Sequence, residues 1–487
     1  MKKRNIYLLP IAAVLLMFTS SCKKEFLDVK PPTQVMEDFF TSEANAKLAI
    51  TGCYDVMGWD GNHNTIPFFF GDIIGRDGWK GGDVGGDQDW MNNLINFTYT
   101  PDNYMLNTAW KNYYIAINRC NTAIENIDKM SSDMISDDSK ANLIAQARFV
   151  RGYFYFELVK TWGKVPLVDH VLSPSEYQQP LADEEAIWQF IEDDFKAAAE
   201  VLPTRMQQDP ADIGRATKGA AQAFLAKAYI YQKKWSEALD ITNQIIASDN
   251  YSLLDNYADV FKMENENNDE IVFSIQFKET GNGDYGDENE GTMLCVYMEV
   301  RNHPFAGIGG WGFNCPTQEL ADQYEPGDPR FEATFIHDGE TLWEGTSDES
   351  TFDCTFPTNI DHYGNQKYAL PASQQPADFS DASKNWILIR YAEVLLWNAE
   401  AAFYTGGDWE KPLQQVRDRV GLGPTPYSGI DAIYHERRVE LAMEGQRFWD
   451  IVRQGRGEEI LGKYGYVEGI NNHFPIAQDQ LDLSNIW

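Results

Sequence analysis

Apolar residues recur every three or four positions over long parts of the chain, which is the spacing of α-helices. Around Trp110, Ile117 and Ile124 they form one stripe, so a helix is predicted from about residue 103 to residue 127. Pro203 ends a later periodic stretch, because proline cannot continue a helix. Helices are likewise predicted within residues 141–163, 184–203, 217–248, 390–420 and 435–456.

Residues 217–248 have the pattern of two helices joined by the short link QKKW. Ala226 lies in the first helix and Ala238 in the second, twelve residues later. Small residues at this spacing let paired helices pack closely, and the stretch resembles a tetratricopeptide helix pair. The predicted fold class is therefore mostly α, a scaffold of tetratricopeptide-like helix pairs, with helical regions at 35–250 and 251–487.

Between the helical blocks, residues 268–384 have a different pattern. Apolar residues alternate in EIVFSIQF, which predicts a strand, and TMLCVYMEV at residues 292–300 is interpreted as a second strand. Glycine, aspartate and proline fill much of the rest. The segment is therefore predicted to be a loop-rich insert with a few short strands, within one globular unit.

The first residues have the pattern of a secretory signal. Lys2, Lys3 and Arg4 precede an apolar run, Ile6 to Phe18, that is too short to span a bilayer. Small residues then lead to Cys22, the expected lipid acceptor of a bacterial lipoprotein. Residues 1–21 are predicted to be a signal peptide and 22–34 a lipidated tether, with a buried N-terminal helix as the alternative.

Charge and cysteine content narrow the classes of function. The 487 residues carry a formal net charge of −34, which argues against a nucleic-acid surface. The six cysteines form no CxxC pair, so neither a zinc knuckle nor a thioredoxin motif is supported. An acidic surface suits an uncharged partner or a cation, or serves solubility alone.

Several stretches, in order along the chain, resemble the SusD/RagB family of outer-membrane glycan-binding lipoproteins. They include WKNYYIAINRCN, ARFVRGYFYFELVKTWGKVPLV, GWGFNCPTQELADQYEPGDPRFEATF, NWILIRYAEVLLWNAEA and ERRVELAMEGQRFWDIVRQG. The resemblance implies a lipid-anchored protein of the cell outer membrane that faces the exterior. It further implies a non-catalytic protein that captures oligosaccharides for a TonB-dependent, SusC-like transporter.

Sugar binding needs flat aromatic platforms and a few planar hydrogen-bonding groups, held on loops of a rigid scaffold. Two irregular zones, residues 58–93 and the insert, offer such aromatic and polar groups. The family resemblance implies an arc of aromatics from the same two places, an early loop and the mid-chain insert. Packing under a loop is the alternative for each tryptophan. The candidate ligand-binding residues are Asp72, Arg76, Asp77, Trp79, Trp90, Tyr297 and Trp311.

Other readings of the chemistry stay open at this point. The acidic loop GNGDYGDENEG makes Asp284 and Asp287 weak calcium candidates, although its spacing does not fit an EF-hand. The acids and bases of 435–456, at i,i+3 spacing, are interpreted as solvated or helix-bridging ion pairs within one helix. A glycoside hydrolase remains an alternative, because paired carboxylates could hide among 74 acids. A carrier or scaffold for peptide cargo is another.

Overall fold

The computed structural model describes residues 39–59, 66–82, 87–281, 290–301, 309–351 and 363–484. The predicted signal peptide, Cys22, the tether, Asp284 and Asp287 lie outside these residues. Within them, no helix is both long enough and apolar enough to span a membrane.

The structure is built mainly from α-helices, as the apolar spacing predicts. In chain order they are α1 Glu43–Asp55, α2 Asp89–Ile95, α3 Tyr104–Asp128, α4 Asp137–Trp162, α5 Glu184–Val201, α6 Lys218–Tyr231, α7 Trp235–Ala247, α8 Leu294–Met298, α9 Gln318–Ala321, α10 Tyr391–Thr405, α11 Glu410–Arg419, α12 Ile430–Glu440, α13 Arg447–Arg453, α14 Gly457–Leu461 and α15 Gln478–Leu483. A π-helical segment spans Pro67–Ile73. Short 3₁₀ turns occupy Val56–Gly58, Pro174–Glu176, Arg205–Gln207, Pro210–Asp212, Tyr257–Phe261, Met263–Asn265, Ala372–Gln374 and Gly462–Tyr464.

The long helices pack in sequence against their neighbours. Helix α4 lies between α3 and α5, α6 packs on α5 and α7, and α10 packs on α7. Ala226 of α6 and Ala238 of α7 are both fully buried, because small side chains let the two helices approach closely. The mostly helical fold class is therefore confirmed.

Helix α4 is buried on most sides, which explains its weak amphipathic pattern. Arg151 of this helix forms a buried two-pronged ion pair with Asp194 of α5, at 2.8 Å for each of two N–O contacts. Since the charges are matched and hydrogen-bonded, the pair is tolerated in the interior. It fixes the rotation of α4 against α5.

The strands form four small antiparallel pairs. They are β1 Gly78–Gly81 with β3 Phe313–Pro316, β2 Ile271–Ile275 with β8 Trp386–Arg390, β4 Phe335–His337 with β7 Tyr363–Asn365, and β5 Thr341–Leu342 with β6 Ser350–Thr351. The strand predicted in EIVFSIQF is confirmed as β2. The strand predicted in TMLCVYMEV is wrong, since Leu294–Met298 is the helix α8. Its residues are mostly buried on all sides, so their apolar run does not distinguish a helix from a strand.

The single helix predicted over 435–456 is also wrong. The structure breaks it into α12 and α13, with Met443 and Gly445 in the left-handed backbone region at φ of 62° and 76°. Most of its charges are buried and pair with other elements instead of with each other. Arg437 binds Glu393 of α10 and Asp450 of α13, whereas Asp450–Arg453 forms at the predicted i,i+3 spacing. The helix-bridging interpretation is thus confirmed and the solvated one is wrong.

Candidate functional site

Strand pairing brings the two irregular zones together. Strand β1, from the early zone, pairs with β3 of the insert, so that Trp79 lies opposite Cys315 and Gly81 opposite Phe313. Gly81 has a φ of 70°, and a Cβ atom there would lie 1.6 Å from the Gly312 carbonyl oxygen. Only glycine allows this close backbone approach. The β1–β3 ribbon therefore carries Trp79 on one strand, and its other strand begins two residues after Trp311.

Trp79 is the most solvent-exposed of the tryptophans that the structure describes, with 37% of its surface accessible. Its neighbours on the strand, Gly78 and Lys80, are buried. Burial of Lys80 lowers its pKa, and the carboxylates of Asp87 and Asp89 oppose this effect. The alternation along β1 presents the indole outward from a rigid backbone, as a binding platform requires.

Tyr297 and Trp311 lie in direct contact. Their rings meet edge to face, with centroids 4.8 Å apart and planes at 89°. Phe379 extends the group, with its ring 5.7 Å from that of Trp311, and Phe313 of β3 lies 5.9 Å from Tyr297. We call Tyr297, Trp311 and Phe379 the aromatic patch. Each of its three side chains is partly exposed, so ring surface is accessible to a ligand.

Main-chain hydrogen bonds fix the position of the aromatic patch. The Trp311 N–H donates to the Val296 carbonyl oxygen at 2.8 Å, which ties the residue to helix α8. The guanidinium group of Arg301 donates to the Trp311 carbonyl oxygen at 3.1 Å and lies 3.9 Å from the Asp87 carboxylate. Arg301 and Asp87 are thus half-buried polar groups next to the aromatic patch.

Asp72 and Asp77 face the protein interior, and each is 1% exposed. Asp72 accepts hydrogen bonds from Gly445 N–H at 3.1 Å and from Asn314 Nδ2 at 3.2 Å. Burial raises its pKa to about 8, opposed by the Asn314 hydrogen bond and assisted by the charge of Asp77. Asp77 accepts from Arg438 of α12 at 2.5 and 2.9 Å. In this structure both carboxylates support β1 from behind and are closed to a ligand.

Arg76 and Trp90 also contact protein groups. The Arg76 guanidinium donates to the Ile95 carbonyl oxygen at the end of α2 and lies 3.8 Å from the Tyr464 ring centroid. Burial lowers its pKa. Trp90 is half-buried, packs edge to face on Phe69 at 4.8 Å, and donates through Nε1 to Gln88. These residues anchor the early zone and do not join the aromatic patch.

Of the aromatic candidates that the sequence indicates, the structure places Trp79 on β1, Tyr297 on α8 and Trp311 two residues before β3. Sequence reasoning misses Phe379, Arg301 and Asp87, which the structure brings to the same place. Phe379 stands alone in the polar stretch PADFSDASKN, and an isolated aromatic in a polar loop is the signal that could have indicated it. Arg301 follows Tyr297 by four residues, and its pairing with Asp87 is visible only in three dimensions.

A separate cavity of about 330 Å³ lies between residues 205–217 and strand β2. Its arginines are committed to holding this loop. Arg205 donates to the carbonyl oxygens of Asn267 and Asn268 at 2.7 and 2.8 Å, and Arg215 donates to Thr51 at 2.8 Å. Since these planar groups already have partners, the aromatic patch with Trp79 is the better candidate for recognition.

Two family models match the chain in different parts. The model described as the SusD family matches residues 269–482. The model described as "Starch-binding associating with outer membrane" matches residues 25–230. Strand β1 lies within the second matched range and strand β3 within the first.

Relatives match over nearly the whole length. A SusD-like protein of Formosa agariphila is 28% identical over 504 residues, covering 93% of this chain and 90% of the relative. The solved structure of a laminarin-binding SusD-like protein is 29% identical with a TM-score of 0.81, covering 92% of this chain and 99% of that one. Surface glycan-binding protein A from Bacteroides thetaiotaomicron is 26% identical with a TM-score of 0.78, covering 91% and 98%.

The comparisons bear on both fold and class. The mostly helical architecture agrees with that of the solved structures. These proteins are named for binding, which confirms the prediction that the chain is not an enzyme. From the two family models and the full-length relatives, the chain belongs to the SusD family.

Proposed function

We propose that the protein is a cell-surface lipoprotein that binds an oligo- or polysaccharide through Trp79 and the aromatic patch. It then passes the glycan to a TonB-dependent, SusC-like transporter in the outer membrane. The observation that carries the proposal is the β1–β3 ribbon, since β1 carries the exposed Trp79 and β3 begins two residues after Trp311, which contacts Tyr297.

The chemistry of the ribbon suits a neutral sugar. Pyranose rings offer weakly apolar faces and many hydroxyl groups, so they stack on aromatic rings and hydrogen-bond to planar polar groups. Trp79, Tyr297 and Trp311 supply the rings, and Arg301 and Asp87 supply donors and acceptors beside them. Nothing in this arrangement requires a nucleophile or an acid–base pair, because capture involves no bond cleavage.

The solved relatives guide the choice of first ligand. One is named as a laminarin-binding protein and another as a surface glycan-binding protein. Laminarin is therefore the first polysaccharide to test, ahead of a wider panel of neutral glycans.

Anchoring and delivery complete the proposal. Cys22 is proposed to carry the lipid that holds the mature protein on the outer membrane, facing the exterior, after residues 1–21 are removed. Residues 22–34 then act as the tether. The helical regions 35–250 and 251–487 would rest as one unit on the transporter, with the glycan held between them and the membrane.

The function is tested by calorimetric titration of the purified protein with laminarin and by affinity electrophoresis against the panel. Trp79→Ala and Trp311→Ala should each weaken binding about tenfold or more, since one lost stacking contact is worth about 1.4 kcal/mol. Trp409→Ala is the matched control. Trp409 is also half-buried, but it packs on Phe403 between α10 and α11, and its loss should leave binding unchanged.

If no neutral glycan in the panel binds, or if Trp79→Ala and Trp311→Ala both bind as well as the unaltered protein, the proposed site is wrong. A time course of the bound glycan should show no shorter products, because capture leaves the chain of sugars intact. Appearance of shorter products would contradict the non-catalytic role.

A further inference from the structure

Three side chains outside the ribbon converge at the end of strand β4. The His337 Nε2 atom lies 3.6 Å from a carboxylate oxygen of Glu332 and 3.9 Å from one of Glu340. One ligand atom from each of the three residues lies within 4.8 Å of the other two. Imidazole and carboxylate are the protein groups that bind divalent transition metals.

The backbone positions these groups independently of any ion. His337 is the last residue of β4 and pairs with Tyr363 of β7, while Phe335 and Ile336 before it are buried. A β-turn follows, closed by a hydrogen bond from Glu340 N–H to the His337 carbonyl oxygen at 3.2 Å. Gly339 in this turn has a φ of 81°, which glycine adopts readily. The turn brings Glu340 back beside His337.

The charge balance of the cluster favours a cation. Among the residues that the structure describes, His337 is the only basic side chain paired with Glu332 or Glu340. The Glu340 side chain is only 14% exposed and accepts the His337 N–H at 3.0 Å. A carboxylate that is largely removed from water, and that pairs with no lysine or arginine in the described part of the chain, is stabilised by a bound cation.

We propose that Glu332, His337 and Glu340 form a binding site for a divalent transition-metal ion, with Zn²⁺ preferred. Zinc bonds of 2.0–2.2 Å to nitrogen and oxygen place neighbouring ligand atoms about 3.3–3.6 Å apart in a tetrahedral site. The observed separations need to close by only a few tenths of an ångström for His337. Three protein ligands leave one position for water or for another ligand.

A second histidine, His170, shows that two nearby carboxylates form a metal site only if they lie near the same ring nitrogen. His170 also lies near two carboxylates, but Asp169 contacts its Nδ1 atom at 2.7 Å and Glu176 its Nε2 atom at 3.4 Å. The two carboxylates therefore lie on opposite sides of the ring and cannot share one ion with it. His170 and His337 have similar side-chain exposure, 47% and 41%, so His170 is a matched control.

The experiment is isothermal titration of the tag-free purified protein with ZnCl₂, and separately with CaCl₂. One Zn²⁺ ion per chain is expected, with affinity reduced at least tenfold in His337→Gln and in Glu340→Gln. His170→Gln should bind Zn²⁺ as tightly as the unaltered protein. Since all these side chains are partly exposed, the variants should fold, and circular dichroism with thermal melting checks this.

Crystals grown with Zn²⁺ and measured at the zinc absorption edge give an independent readout. Anomalous density between the three side chains supports the site. Unchanged Zn²⁺ binding in His337→Gln, anomalous density only elsewhere, or Ca²⁺ bound more tightly than Zn²⁺ would each overturn the proposal. Laminarin binding is measured in the same variants, so that failure of the metal site is distinguished from failure of the glycan site.

Discussion

At the scale of one residue, Asp72 is a candidate ligand-binding residue by sequence that has a structural role in the fold. An aspartate among glycines beside Trp79 has the composition of a sugar-binding loop, yet its side chain points inward to Gly445 and Asn314. Sequence gives the residue type and its neighbours along the chain. It does not give the direction of the side chain, which here is decided by a loop more than 370 residues away.

Replacement of Asp72 by asparagine should remove part of the pH dependence of stability. Burial raises its pKa to about 8 in the folded protein, against about 3.9 when unfolded. Between these values the folded state holds a proton that the unfolded state has lost, so stability falls as pH rises, by up to about 1.4 kcal/mol per pH unit. Asp72→Asn should therefore gain stability relative to the unaltered protein between pH 5.5 and 7.5.

The measurement is urea unfolding of both proteins at pH 5.5, 6.5 and 7.5. An asparagine fits the site because Asn314 Oδ1 has no hydrogen-bond partner among the described residues. Once the Asn314 side-chain amide rotates, this oxygen can accept a hydrogen bond from the amide N–H of the asparagine introduced at position 72. Other titrating groups contribute equally to both proteins, so the difference isolates Asp72. A difference in the free energy of unfolding that is constant with pH would contradict the raised pKa.

At the scale of elements, the break between α12 and α13 is where periodicity fails. The residues 435–456 keep helical spacing throughout, but groups from distant elements bind the backbone at the break. Tyr257 and Arg390 donate to the Glu440 carbonyl oxygen, and Lys367 donates to that of Ala442. Because these donors satisfy carbonyls that a helix would otherwise use, the chain can turn. Such partners are not visible in a local pattern.

The long helices could be predicted because their local sequence pattern alone determines them. Helices α3 and α5 have a continuous apolar stripe and clear ends, and their core contacts follow from that stripe. The short elements of the insert depend on tertiary contacts, as helix α8 shows. The aromatic character of the candidate site could thus be predicted, whereas its polar members, Arg301 and Asp87, could not.

Glu440, at the end of α12, is expected to contribute strongly to the stability of the folded protein. It is fully buried and pairs with Arg330 at 2.8 Å, with Arg390 at 2.5 Å and with Arg419. Burial alone would raise its pKa, but these three arginines lower it well below the usual value. Glu440→Gln removes the one carboxylate that all three buried arginines share, although each keeps another acidic partner, and should cost about 3–5 kcal/mol.

Glu459→Gln is the control for this prediction. Glu459 also pairs with an arginine, Arg456, at 2.9 Å, but its side chain is 64% exposed, so its loss should cost less than about 1 kcal/mol. Urea unfolding at pH 7 compares the two. Because the pKa of Glu440 is lowered in the folded protein, the stability that it contributes is lost as pH falls below about 4. The free energy of unfolding of Glu440→Gln should therefore decrease less in acid than that of the unaltered protein. Equal costs for both variants would show that the buried network contributes little.

At the scale of the whole molecule, one hydrophobic core joins both helical regions. It includes Ala46 of α1 and Ala477 near the end of the described chain. The surface carries most of the formal net charge of −34. Such a surface repels anions and attracts cations over a distance that salt shortens, from about 10 Å at 0.1 M to about 3 Å at 1 M. The dependence of binding affinity on salt concentration therefore indicates whether the ligand is charged.

A neutral glycan should bind with an affinity that changes less than about twofold between 50 and 500 mM NaCl, since it has no charge for the field to act on. Laminarin as the neutral probe, alginate as the anionic probe and polylysine as the cationic probe separate the cases by calorimetry. Alginate should bind poorly at low salt. Polylysine can adhere electrostatically at low salt, but this adhesion should vanish at 500 mM and should not depend on Trp79. Salt-resistant polylysine binding that Trp79→Ala abolishes would instead favour a peptide carrier, because the same platform would then recognise a peptide.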